Sequence, residues 1–257
     1  MRVWRYDRVA IGRGINPQRV LHTYNKYGKR TLLRTRWEVQ DATYQGMMLN
    51  TRAEELHQND TSEILSYLPV LKGLDVVELG SGIGRRFTGK LAERAKHVLA
   101  VDFVAKFIEK NKELNNIHTN IDFVVDDVMN ITLAPESIGF VFTNWLFMYL
   151  DDVTTTRLLK HLLRSLSQNA CLFVRESCLY GSGDLSFDTS TTHYREYKHY
   201  EALFHSVSIT TDDQSTAYCF RIVMSKSLDS YREKLNNENQ IIWLLQKVIH
   251  TTSQTSQ

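Results

Sequence analysis

No stretch of this 257-residue chain approaches the roughly 20 consecutive apolar residues of a membrane span, and no secretory apolar segment opens it. Proline is scarce, at three residues, and no glycine-, serine- or proline-rich tract interrupts the chain, which argues against a linker between two domains. The three cysteines, Cys171, Cys178 and Cys219, lack the paired spacing of a metal site and are too few for a disulfide scaffold. They suit reduced thiols in a cytosol-like compartment, so a cytoplasmic monomer is expected, without metal. Charge of one sign is also missing, since the net formal charge is only +2.

That small total conceals an uneven distribution. Residues 1–36 hold eight arginines and two lysines against one acid, Asp7, so they carry +9 and the remainder −7. A basic leader of this kind reads as a nucleic-acid arm, a targeting peptide or a disordered extension. Apolar residues at 42% and charged residues at 23% are ordinary for a globular domain, and the length fits one α/β unit with a modest appendage. The expected division is a leader (1–36), N-terminal lid helices (37–68), a main domain (69–250) and a disordered tail (251–257).

From residue 75 onward, apolar β-rich runs alternate with helical stretches. VVEL (76–79), HVLAVDF (97–103), IDFVVDD (121–127), IGFVFTNW (138–145) and ACLFVRES (170–177) read as strands. Leu158, Leu159, Leu162, Leu163 and Leu166 mark one face of a helix before the fifth. Strand–helix–strand repetition with near-continuous apolar strands implies a parallel sheet covered on both faces. AYCFRIVMS (217–225) and QIIWLLQKVI (240–249) are separated by a polar linker too short for a crossover, and read as an antiparallel pair. The expectation is a doubly wound, Rossmann-like, seven-stranded sheet with an antiparallel C-terminal pair. MMLNTRAEELHQNDTSEILSYL (47–68) supplies an N-terminal helical lid.

In such a sheet the ligand sits beyond the carboxyl ends of the strands, where strand order reverses. Gly80, Gly82 and Gly84 directly follow the first strand, an arrangement dinucleotide binders share. The neighbouring acids shift the reading. Glu78 precedes the first glycine, Asp102 ends the second strand, and Asp126 and Asp127 end the third. Carboxylates around a turn suit a ligand bearing positive charge better than a pyrophosphate. S-adenosylmethionine, with its sulfonium, ammonium and ribose diol, meets that requirement.

The segments MMLNTRAEEL (47–56), VVELGSGIGR (76–85), VDF (101–103), TNWLFMYLDD (143–152), RESCLYGSGD (175–184), THYREY (192–197) and NQIIWLLQKV (239–248) together resemble the first catalytic domain of the phosphoethanolamine N-methyltransferases. The combination RESC…SGD…THYR is peculiar to that group. The resemblance implies methyl transfer from S-adenosylmethionine to phosphoethanolamine, giving the N-monomethyl compound. It implies donor contacts at Gly80, Gly82, Asp102, Asp127, Val128 and Asn144, with Glu78 and Phe103 beside them. The acceptor's phosphate would fall to Arg195, Tyr194 and Tyr197, helped by Ser177. Tyr149, where related enzymes carry a histidine, would orient the amine, and Tyr44 in the lid joins it as a catalytic candidate. Arg175 and Glu176 read as an ion pair.

HYREYKHY (193–200) mixes aromatics with cations as a nucleic-acid reader does, but it is short and the surrounding domain is acidic. NWLF also replaces the Asn/Asp-Pro-Pro-aromatic tetrad common in enzymes that methylate base amines, so no nucleic-acid partner is expected. Two departures bear on activity. Related turns carry one arginine before Phe-Thr-Gly, whereas this chain has Arg85-Arg86-Phe87-Thr88-Gly89. An extra residue at a helix start rotates the rest of that helix by about 100° unless a bulge absorbs it, which would loosen the methionine end of the pocket. The lid keeps Trp37 and Tyr44 but lacks the relatives' His-Ser pair. With a single catalytic domain, the first methylation is the expected limit.

Overall fold

The computed structural model describes residues 30–31, 33–48, 53–181 and 192–250, together with the side chains of most of them. Most of the basic leader, residues 49–52 of the lid segment, Gly183 and Asp184 of the SGD motif, and the C-terminal tail lie outside the described residues.

One eight-stranded sheet organises these residues, in the order β3-β2-β1-β4-β5-β8-β7-β6. Strands β1 (Asp75–Leu79), β2 (His97–Asp102), β3 (Ile121–Val125), β4 (Ile138–Asn144) and β5 (Leu166–Ser177) are mutually parallel. Their largely apolar character follows from cover on both faces: every β1 residue after Asp75 is buried, as is every β2 residue after His97, the acids Glu78 and Asp102 included. Strand β8 (Gln240–Ile249) pairs antiparallel with both β5 and β7 (Ala217–Ser227), as the sequence suggests. The sheet has eight strands rather than seven because β6 (Ser208–Thr210) adds a further antiparallel edge. Three residues are too few to display a period of two. The polar linker before β8 is partly helical, with seven residues of helix from Asp229 to Leu235.

Five short helices wrap the parallel half: α1 (Tyr44–Met48), α2 (Ala53–Ser66), α3 (Thr88–Ala92), α4 (Ala105–Leu114) and α5 (Asp152–Ser165). Two more, α6 (Tyr197–His205) and α7 (Asp229–Leu235), cover the antiparallel half. Asp151 caps α5 by accepting from the Thr154 N–H at 2.7 Å, and the five leucines from Leu158 to Leu166 are fully buried beneath it. Each such leucine contributes about 1.5–3 kcal/mol of transfer free energy. Glu63 on α2 accepts from the backbone N–H groups of Asp229 and Ser230, tying the lid side to α7.

Residues 33–38 are helical as well, so regular structure begins before the boundary expected at residue 37. Leu33 and Trp37, four positions apart, are buried against Ile83, Val104 and Phe107.

Candidate donor and acceptor cleft

Strand order reverses between β2-β1 and β4-β5, and a cleft opens beyond the carboxyl ends of these four strands. It holds about 1190 Å³ of empty space including its open mouth, enough for a nucleoside and a small second ligand. Glu78, Gly80, Asp102, Phe103 and Asn144 line one end, and Tyr149, Ser177 and Tyr194 the other. Trp37, Tyr44 and Met47 roof it.

The donor turn is fixed from several directions. Gly82 has φ of 54°, and a Cβ there would stand 2.6 Å from Met47 Cε; Gly84 has φ of 68°, and a Cβ there would overlap Asn111. Only glycine fits both demands. Asp102 accepts from the Gly82 N–H and the Val104 N–H, both at 2.9 Å, bridging the turn to the start of α4. Glu78 accepts from the Thr88 hydroxyl at 2.6 Å, and Asn111 donates to the same hydroxyl.

The doubled arginine lies in turn residues 85–87, and α3 starts at Thr88 with its hydroxyl on Glu78. Arg85 turns toward the cleft with its guanidinium 4.8 Å from the Tyr44 ring centroid, while Arg86 is buried against Asp60.

Burial pushes the Glu78 carboxyl up to about 8, with Asp102 adding to the rise, and burial raises Asp102 itself to about 6. Between the ordinary carboxyl value and these raised ones, the folded chain keeps protons that the unfolded chain has released. Stability without ligand therefore falls as pH rises from about 5 to 8, by up to a few kcal/mol. Hydrogen bonds from Thr154 and Arg195 hold Asp151 and Asp152 below the usual range despite partial burial, so they titrate beneath this window. A bound cation would keep Glu78 ionised. Melting curves at pH 6, 7 and 8 should show a downward trend for the free chain that flattens with saturating S-adenosylmethionine; parallel slopes would contradict this.

At the acceptor end, Tyr149 lies in a 3₁₀ turn, Phe147–Tyr149, and its ring meets Trp37 edge-on at 5.7 Å. Burial raises its hydroxyl far above the ordinary value, with Tyr194 and Glu176 adding to the effect, so it is a neutral hydrogen-bonding group at pH 7. Glu176 holds the turn from one side, accepting from the backbone N–H groups of Leu146, Phe147 and Met148 at 2.9, 2.7 and 3.1 Å. Arg195 holds it from the other side. Its guanidinium donates to the carbonyls of Phe147, Leu150 and His193 and to the Asp152 carboxylate.

The site therefore gathers Tyr149, Tyr44, Glu78, Gly80, Asp102, Phe103, Asn144, Ser177 and Tyr194 around one cleft. It does not bring Arg195 into the lining: that guanidinium is buried and engaged on the loop's carbonyls. Tyr197 is 45% exposed at the start of α6, outside the cleft. Asp127 pairs with Arg30 and accepts from the Met129 N–H, and Val128 is packed in the main core, both beyond the lining. Gly82 acts through its N–H on Asp102. Arg175 and Glu176 do not pair, because successive strand residues face opposite ways: Glu176 caps the 146–148 turn, and Arg175 reaches Asn144 and Asp60. Gln240 went unnoticed in sequence. Its side chain accepts from Trp145 Nε1 at 2.9 Å and donates to the Ser177 hydroxyl at 2.8 Å, orienting two lining groups.

A loop-clamping Arg195 predicts a specific outcome. Arg195→Gln should lower the melting temperature by several degrees and reduce kcat, whereas a pure phosphate contact would raise acceptor KM at unchanged melting temperature.

A family model described as a methyltransferase domain matches residues 76–169. Phosphoethanolamine N-methyltransferase 1 of Triticum aestivum is 39% identical over 231 residues, which is 87% of this chain and 46% of the wheat protein. Among solved structures, Haemonchus contortus phosphoethanolamine N-methyltransferase 1, in complex with phosphoethanolamine and S-adenosylhomocysteine, is 34% identical with a TM-score of 0.80, over 90% of this chain and 50% of that one. A SAM-dependent methyltransferase from Leishmania major shares the fold at 18% identity and a TM-score of 0.66, over 86% of this chain and 84% of that one. The chain spans about half the length of the curated relatives it matches. It has the class I SAM-dependent methyltransferase fold and is a homologue of the phosphoethanolamine N-methyltransferases.

Proposed function

We propose that this chain transfers a methyl group from S-adenosylmethionine to the nitrogen of phosphoethanolamine, giving N-methylethanolamine phosphate, an early step toward phosphocholine. The carrying observation is the cleft itself: two buried acids flank the glycine turn, and an uncharged hydroxyl cluster faces them from the other end. Homology to enzymes of that name supports the choice of acceptor.

The residues fit the donor. Asp102 has lone pairs left for a ribose diol, Asn144 and Phe103 line the same end, and Glu78 can offset cationic charge. Bound S-adenosylmethionine supplies an electrophilic methyl on a sulfonium, and the chain supplies position and exclusion of water. Tyr149, Ser177 and Tyr194 offer hydroxyls to the acceptor. Arg36 is close enough to favour the ionised forms of both Tyr149 and Tyr194, and Arg85 lines the cleft, so positive charge is at hand for a phosphate. Arg195 supports the acceptor end at one remove, by holding the loop that carries Tyr149.

The described residues lining the acceptor end include no carboxylate and no histidine. Only the unprotonated amine can attack the methyl group, so kcat/KM should rise with pH toward the amine pKa. Tyr149→Phe removes an orienting hydrogen bond and should lower kcat about 10- to 100-fold with little change in donor affinity.

The free cysteines Cys171, Cys178 and Cys219 suit a reducing, cytosol-like compartment. No helix among the described residues is long and apolar enough to cross a membrane. Incubation with methyl-labelled S-adenosylmethionine and a panel of phosphobases and free amines tests the reading. Label on phosphoethanolamine and not on ethanolamine is expected; label on a different acceptor alone would overturn the substrate assignment.

A further inference from the structure

Behind the donor turn lies a buried charge cluster, reaching the cleft lining at Arg86, that the proposed chemistry does not use. Asp60, on α2, is 1% exposed, and its Oδ2 accepts from Arg86 of the turn. The same oxygen lies 3.6 Å from Arg175 Nη2 at the end of β5. Arg175 is fully buried, donates to Asn144 Oδ1 at 3.0 Å and stacks 3.5 Å from the Trp145 ring centroid. Arg86 also lies 5.5 Å from that ring and 5.0 Å from the ring of Phe87. Trp145 itself holds φ of 57°, a left-handed conformation rare for a bulky residue, which its surroundings must impose.

One carboxylate thus joins α2 to two elements that present groups to the cleft: the turn with Arg85 directly, and the end of β4 with Asn144 and Trp145 by way of Arg175. Charge placed this deeply is held in one geometry, because a buried ion that loses its partner is costly. Asp60 Oδ1 and Arg175 Nε have no hydrogen-bond partner among the described residues, so the Arg86 contact carries most of the restraint on Asp60. We propose that Arg86 is a positioning residue of the donor pocket: acting through Asp60, it latches the glycine turn to α2 and to the Asn144–Trp145 wall. The latch rests on the donor half of the function proposed above and is independent of the acceptor.

The test is calorimetric titration with S-adenosylhomocysteine, well below each variant's melting temperature, together with steady-state kinetics. Arg86→Met keeps the volume and removes the charge; it should weaken S-adenosylhomocysteine binding at least 10-fold while acceptor KM at saturating donor stays within about threefold. Asp60→Asn should act in the same direction, and the Arg86→Met/Asp60→Asn pair should be no worse than the poorer single variant. Arg86→Lys, which keeps the charge on a shorter reach, should lose less and provides the same comparison if Arg86→Met does not fold. Donor affinity within twofold of the unaltered chain in Arg86→Met, or in Arg86→Lys and Asp60→Asn together, overturns the latch, as do losses that add in the pair. If the unaltered chain binds S-adenosylhomocysteine but does not methylate phosphoethanolamine, the acceptor assignment falls, and a donor-affinity loss in Arg86→Met would still support the latch. Failure of the unaltered chain to bind S-adenosylhomocysteine overturns both.

Discussion

Asp102→Ala is expected to weaken binding of an adenosyl ligand by about three orders of magnitude. Both carboxylate oxygens are committed in the folded chain, one to the Gly82 N–H and one to the Val104 N–H. Truncation leaves those two donors buried and unpaired, at about 1–3 kcal/mol each. It also removes the carboxylate that we propose binds the ribose. The orphaned N–H groups lower stability, whereas two lost charge-assisted bonds to a ribose diol, about 1.5–3 kcal/mol each, give the roughly 10³ loss in affinity. Asp102→Asn keeps one acceptor but turns an amide toward an N–H donor, so an intermediate loss of about 10- to 100-fold should result. Calorimetric titration with S-adenosylhomocysteine at pH 7.5 measures both, and an unchanged dissociation constant in Asp102→Ala would place the nucleoside elsewhere.

Glu176→Ala should affect the other end of the cleft. One buried side chain accepts from three consecutive backbone N–H groups, and no other acceptor replaces it when it is removed. Three orphaned donors cost about 3–5 kcal/mol in total, a fall in melting temperature of roughly 6–20 °C for a chain of this size. Glu176→Gln retains one oxygen and should lose about a third to a half as much. Burial pushes the Glu176 carboxyl up to about 7, with the N–H groups pulling it down. Its ionisation is disfavoured by the fold, so like Glu78 and Asp102 it lowers the stability of the free chain as pH rises from about 5 to 7. Because Tyr149 ends this turn, kcat should fall at least 10-fold in Glu176→Ala while affinity for S-adenosylhomocysteine stays near that of the unaltered chain. Loss of donor binding with kcat preserved would reverse the assignment of the two ends.

How far the residues alone reveal the molecule divides along physical lines. The parallel core was legible because burial on both faces forces nearly continuous apolar strands, as in Val98–Val101 and, with Glu78 as its one polar residue, Val76–Leu79. The donor turn was legible because positive φ selects glycine at Gly80, Gly82 and Gly84. The carbonyl contacts of Arg195 were not legible because a guanidinium among tyrosines reads alike whether it faces a phosphate or backbone carbonyls 45 and 48 residues away. Composition carries no record of such distant contacts. The 33–38 helix was hidden by the charge around it, although Leu33 and Trp37 at helical spacing gave a local signal. Arg86 looked like an insertion that would disturb the turn; its partner Asp60 lies 26 positions back, and only the folded chain brings them together.

A crystal of the chain with S-adenosylhomocysteine and phosphoethanolamine tests the central claim most directly. The account predicts the ribose on Asp102, the thioether sulfur directed toward Tyr149, and the phosphobase between Tyr149, Ser177 and Tyr194, with Arg195 still bound to the carbonyls of Phe147 and Leu150. A nucleoside lying away from the Gly80–Gly84 turn, or a phosphobase seated out of reach of Tyr149, would contradict it.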